Sequence, residues 1–67
     1  MKNYGVSLKR LLEMYDNWNG MTRVNDNELN IITEDRTVNI YDKRNDLLHK
    51  EVVAFGFYDG VFTVRIK

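Results

Sequence analysis

The chain has 67 residues, ten basic and ten acidic side chains, no Cys and a single His. That length allows one domain, 1–67, and the missing Cys excludes disulfides and thiolate metal sites. A formal net charge of zero lacks the basic excess of a nucleic-acid-binding domain, and one His does not make a histidine metal site.

A domain of this size buries only about 60% of its unfolded surface, so association with another chain is the expected source of further support. MKNYGVSLKRLLEMYDNW lacks the uninterrupted apolar core of a signal peptide. No apolar run approaches the roughly 18 residues of a membrane span, and the expected location is cytoplasmic with no membrane contact. Asn occurs at 3, 17, 19, 25, 27, 30, 39 and 45, mostly where turns are expected. Its AT-rich codons also fit a low-GC bacterium, its plasmids or its phages.

Taken in chain order, Ser7 caps a helix over about 7–19. Leu8, Leu11, Leu12, Tyr15 and Trp18 form one helical face, and Asn19-Gly20 ends the helix in left-handed backbone. The period then changes to 2. Strands are predicted at about 21–24, 28–33, 36–41, 50–58 and 61–66, with turns at Asn25–Asn27, Glu34-Asp35, Lys43–Asp46 and Asp59-Gly60. Asp-Gly between alternating apolar residues is a strong hairpin signal. Connections this short imply antiparallel neighbours. The predicted fold class is α+β, with one N-terminal helix packed on a five-stranded antiparallel β-meander.

A two-residue loop at Asp59-Gly60 puts Val53, Phe55, Phe57, Phe62, Val64 and Ile66 on one face, because opposed residues share a face. Leu29, Ile31, Val38 and Ile40 extend that surface, and the helix covers it. The second face then holds Ile32, Tyr41, Val52, Ala54, Gly56, Tyr58, Val61, Thr63 and Arg65. No element is left to cover it. Tyr41, Val52, Ala54, Tyr58, Val61, Thr63 and Arg65 are therefore the candidate interface residues, with tyrosines as anchors.

Catalytic constellations are not found. Ser7 is the only Ser and serves as a cap, so no nucleophile has a base beside it. His49 stands alone near the fourth strand, and Glu34-Asp35 lies at an expected exposed turn where nothing raises a carboxyl pKa. No catalytic residue, cofactor or metal ligand is assigned. Asp16, Glu34, Asp35 and Asp59 are expected at one end of the sheet, where they form an acidic contact end for a basic partner.

The expected function is a small non-enzymatic protein-interaction module that self-associates through the second face. A phage or mobile-element inhibitor of a host or defence protein fits its size and composition. The rival expectation is a small nucleic-acid-binding or regulatory protein that stacks bases on the tyrosines of the same face.

Overall fold

The computed structural model describes residues 5–67. The first helix, α1 (Leu8–Tyr15), starts as expected: Ser7 is extended, and its hydroxyl accepts the Arg10 N–H at 3.2 Å. Leu8, Leu11 and Leu12 form its buried stripe. It ends earlier than predicted, at Asp16 rather than at Asn19-Gly20. Asp16 adopts left-handed backbone (φ 56°), and its N–H donates to the Leu12 carbonyl, a role its short polar side chain tolerates. The Trp18 indole N–H donates to Asp16 Oδ1 at 3.1 Å and secures this earlier ending.

Four strands follow, not five: β1 (Met21–Asn25), β2 (Ile31–Arg36), β3 (Val52–Tyr58) and β4 (Val61–Ile66), in the order β2-β1-β4-β3. The β1–β2 and β3–β4 pairs are antiparallel, but the central β1–β4 pair is parallel, so the sheet is mixed and no meander forms. Two corrections explain this. The predicted third strand, 36–41, is a helix, α2 (Thr37–Lys43), followed by the single turn α3 (Asn45–Leu48). Thr37, Ile40 and Tyr41 lie at i, i+3 and i+4, a helical face that five residues cannot distinguish from a strand.

What decides for the helix is tertiary. The Thr37 N–H donates to the Gly20 carbonyl at 2.9 Å and that of Val38 to the Trp18 carbonyl at 3.0 Å, satisfying two of the first-turn donors that a helix leaves orphaned. The helical passage through α2 and α3 then carries the chain across, so that β4 can lie beside β1. Glu34-Asp35 is accordingly not a turn but the middle of β2.

The second correction is the length of the turn before β2. Asp26 Oδ1 accepts the N–H groups of Glu28 and Asn30, both at 2.9 Å, and Asp26 N–H donates to the Asn30 carbonyl. This closed loop runs to Asn30, so β2 begins at Ile31 rather than at 28.

All three helices pack on one face of the sheet. Leu8, Leu11, Leu12, Ile40, Leu47 and Leu48 meet Val24, Val52, Phe62, Val64 and Ile66 in one apolar core. Tyr15 stacks on Phe62 with ring centroids 3.9 Å apart. A buried hydroxyl pair crosses the core margin: Thr22 Oγ1 and Thr37 Oγ1 are 2.6 Å apart, and Thr37 Oγ1 donates to the Gly20 carbonyl at 3.0 Å. Since Thr37 has one hydroxyl proton, Thr22 is the donor within the pair.

One expectation about this face changes. Phe55 and Phe57 share it by register with Val64 and Phe62, yet they are 47% and 61% exposed, because β3 is the outermost strand and lies beyond most of the helical cover. Trp18 meets Tyr41 edge-on, with ring centroids 5.1 Å apart.

Candidate functional site

No helix covers the opposite face. Alternation along β1 turns Arg23 and Asn25 away from the core residues Thr22 and Val24. In the parallel pair Arg23 lies opposite Thr63 and Asn25 opposite Arg65. The antiparallel hairpin sets Ala54 opposite Arg65, Gly56 opposite Thr63 and Tyr58 opposite Val61. These residues surround a concavity of about 410 Å³, lined by Arg23 and Asn25 from β1, Leu29 from the following loop, Ala54, Phe55 and Tyr58 from β3, and Thr63 and Arg65 from β4.

Local structure places the two rim residues. Leu29 has positive φ (70°) and is 63% exposed. Its N–H donates to the Asp26 carbonyl, inside the loop that the Asp26 carboxylate organises. Left-handed backbone is costly for a branched apolar residue, on the order of 1–3 kcal/mol; here the loop imposes it and turns a leucine outward. Tyr58 is 60% exposed. Its ring folds back over Gly56, so that a Cβ there would lie 3.4 Å from ring atoms. The ring thus lies against the strand at residue 56 and forms a wall of the concavity.

The two arginines differ in kind. Arg23 Nε donates to Glu34 Oε1 at 2.9 Å across β1–β2. That hydrogen bond, more than the charge of Glu34 or the nearby Asp59, holds the guanidinium pKa above its ordinary value. No ion pair among the described residues engages Arg65. Its Nε and the Oδ1 of its neighbour Asn25 are buried atoms without a hydrogen-bond partner among the described residues. Most buried polar groups in folded proteins are paired, and an exception calls for an explanation. Chemically the site offers a guanidinium without an ion pair among the described residues, between aromatic and aliphatic walls. Among the described residues no group of His, Asp or Glu side chains converges as a metal would require.

Of the predicted interface residues, Ala54, Tyr58, Val61, Thr63 and Arg65 come together on this face. Val52 does not: register slips by one residue between Val52 and Ala54, pairing Val52 with Ile66 and burying it completely. Such a bulge turns a side chain to the other face. Tyr41 is also elsewhere, on α2, where its hydroxyl donates to Glu13 Oε2; this bond, ahead of desolvation, raises its pKa. Ile32 packs against the core.

The four acidic residues are largely engaged within the chain. Glu34 pairs with Arg23. Asp35 accepts from Asn39 Nδ2 at 3.0 Å and from the Arg36 N–H at 2.7 Å, and these bonds lower its pKa. Asp16 accepts from Trp18, and Asp59 occupies the left-handed hairpin turn (φ 56°). Arg23, Asn25 and Leu29 are members of the site that sequence reasoning missed. The alternation Thr22-Arg23-Val24-Asn25 holds the signal for two of them, once β1 is placed beside β4.

Comparisons of the chain with family models, with curated proteins and with solved structures find no match. No helix among the described residues is long and apolar enough to cross a membrane.

Proposed function

We propose that the chain is a small non-enzymatic interaction module that binds another protein through the helix-free face of its sheet. The observation that carries this reading is Arg65, a guanidinium without an ion pair among the described residues, at a concavity walled by exposed Tyr58 and Leu29. A guanidinium that lacks a counter-charge within the chain is a ready contact for a partner that brings one.

Protein fits the face better than nucleic acid. A single strand is held by a track of cations along its phosphates. Here Arg23 is already neutralised by Glu34, which leaves Arg65 as the unpaired cation lining the concavity.

The test is affinity capture from a nuclease-treated bacterial lysate with three baits: the parent, Ala54→Asp on the open face, and Met14→Asp on exposed helical surface. Proteins retained by the parent and Met14→Asp but lost with Ala54→Asp are the expected result. Retention indifferent to Ala54→Asp removes the open face from the function.

A further inference from the structure

The chemistry of the concavity narrows the partner. Resting on the reading above, we infer that the open face takes an extended segment of another protein in which an acidic residue lies between aliphatic ones, its carboxylate on Arg65. Arg65 needs an acceptor that carries charge, and a carboxylate matches the guanidinium fork. Its cross-strand neighbour Asn25 has a buried Oδ1 without a partner among the described residues, as has Arg65 Nε, so acceptor and donor sit on opposed residues beneath the surface that a partner touches.

An acidic residue in an extended chain supplies that carboxylate, which meets the part of the guanidinium that is not buried, Nε and Asn25 Oδ1 both lying below the surface. A nucleic-acid strand needs a row of cations along its phosphates, and Arg65 is the one cation lining the concavity without an ion pair among the described residues. Leu29 and Tyr58 stand exposed at the rim and give the flanking aliphatic side chains their apolar contact. The volume, about 410 Å³, falls in the range of sites that enclose a few groups rather than a whole domain surface. Neutral charge overall means that recognition is local: Arg65 selects the acid, and long-range attraction adds little.

The experiment is a titration of isotope-labelled protein with a pool of short peptides carrying Glu between variable aliphatic residues. A twin pool has Gln for Glu, and oligothymidylate serves as a third probe. The readouts are the Arg65 Nε–H resonance and the backbone amides of Ala54 and Thr63. The Glu pool is expected to shift these signals and to bind about 10-fold or more tightly than the Gln pool, the scale of a charge-assisted hydrogen bond. Arg65→Gln is expected to erase that preference.

Equal binding of the two pools, with Ala54→Asp abolishing both, overturns the acidic-segment inference and leaves the interaction-module reading standing. Shifts confined to the helical side overturn both readings. Tighter binding of oligothymidylate, shifts of the same amides with protein concentration alone, or no binding from the Glu pool each overturn the inference, the second by making a copy of this chain the occupant. The comparison of the two pools on the parent protein depends on no variant folding.

Discussion

The two faces of this sheet are built from the same four strands and satisfied in opposite ways. The covered face closes on itself: three helices bring leucine and isoleucine side chains onto valine, phenylalanine and isoleucine of β1, β3 and β4. The open face is held by cross-strand pairs, of which Arg23–Glu34 is complete and Asn25–Arg65 is not. Burial of apolar area stabilises the fold, and the incomplete polar pair does not. Stability thus rests on one side of a layer one strand thick, and the binding proposed above on the other.

Breaking the covered face should have the largest effect. Leu12 is fully buried against the sheet, and Leu12→Ala is expected to cost about 2–5 kcal/mol, comparable with the whole stability of a small domain. Urea unfolding measures it directly, and an unchanged midpoint would remove α1 from the core.

Next in size is the hydroxyl pair. Thr37→Val leaves the buried Thr22 hydroxyl without its acceptor and is expected to cost about 1–3 kcal/mol. The double variant Thr22→Val/Thr37→Val should recover much of that loss, because two apolar groups of the same shape need no partner. A double variant as unstable as the sum of the two single ones would show that the pair is not coupled.

Acid sharpens the comparison between the two sides. Asp26 organises the loop that presents Leu29, and the Asn30 N–H bond holds its carboxyl below its ordinary value of 3.8. Asp35, on β2, is lowered chiefly by Asn39. A carboxyl depressed in the folded state stabilises fully above its unfolded pKa, and this contribution is lost as pH falls through the depressed one. Stability should therefore decline below about pH 4, with a smaller decline in Asp26→Asn and in Asp35→Asn. Melting temperature across an acid series reads this out. Equal slopes in parent and variants would mean that neither carboxylate carries the effect.

The smallest expected change is on the open face. Arg65→Met removes a cation that no ion pair among the described residues engages and should leave stability within about 0.5 kcal/mol or raise it slightly. A loss of 2 kcal/mol or more would make Arg65 a structural residue and break the division between the faces.

What was legible in the chain follows the range of the interactions involved. The Ser7 cap, the leucine stripe and the Asp59-Gly60 hairpin depend on near neighbours, and all three are present. Positive φ at both Asp59 (56°) and Gly60 (77°) is the turn that Asp-Gly favours. The segment TVNIYDK is rich in β-branched and aromatic residues, so local preference points to a strand. Carbonyls of Trp18 and Gly20, distant in sequence, make it a helix. The site divides in the same way. Ala54, Tyr58, Val61, Thr63 and Arg65 share a hairpin and could be grouped from its register. Arg23, Asn25 and Leu29 join them only through the parallel β1–β4 pair, which no local pattern announces.

That parallel pair also has a kinetic consequence. Thr22 lies against Phe62, about forty residues further along the chain, and β4 separates β1 from β3 in the sheet. The β1–β2 hairpin can form early but cannot consolidate until the β3–β4 hairpin docks beside it. Closing so long a loop before its contacts reward it slows folding. During synthesis β1 therefore waits with one edge unpaired, and substitutions in β4 should appear first in the rate at which native protein is made.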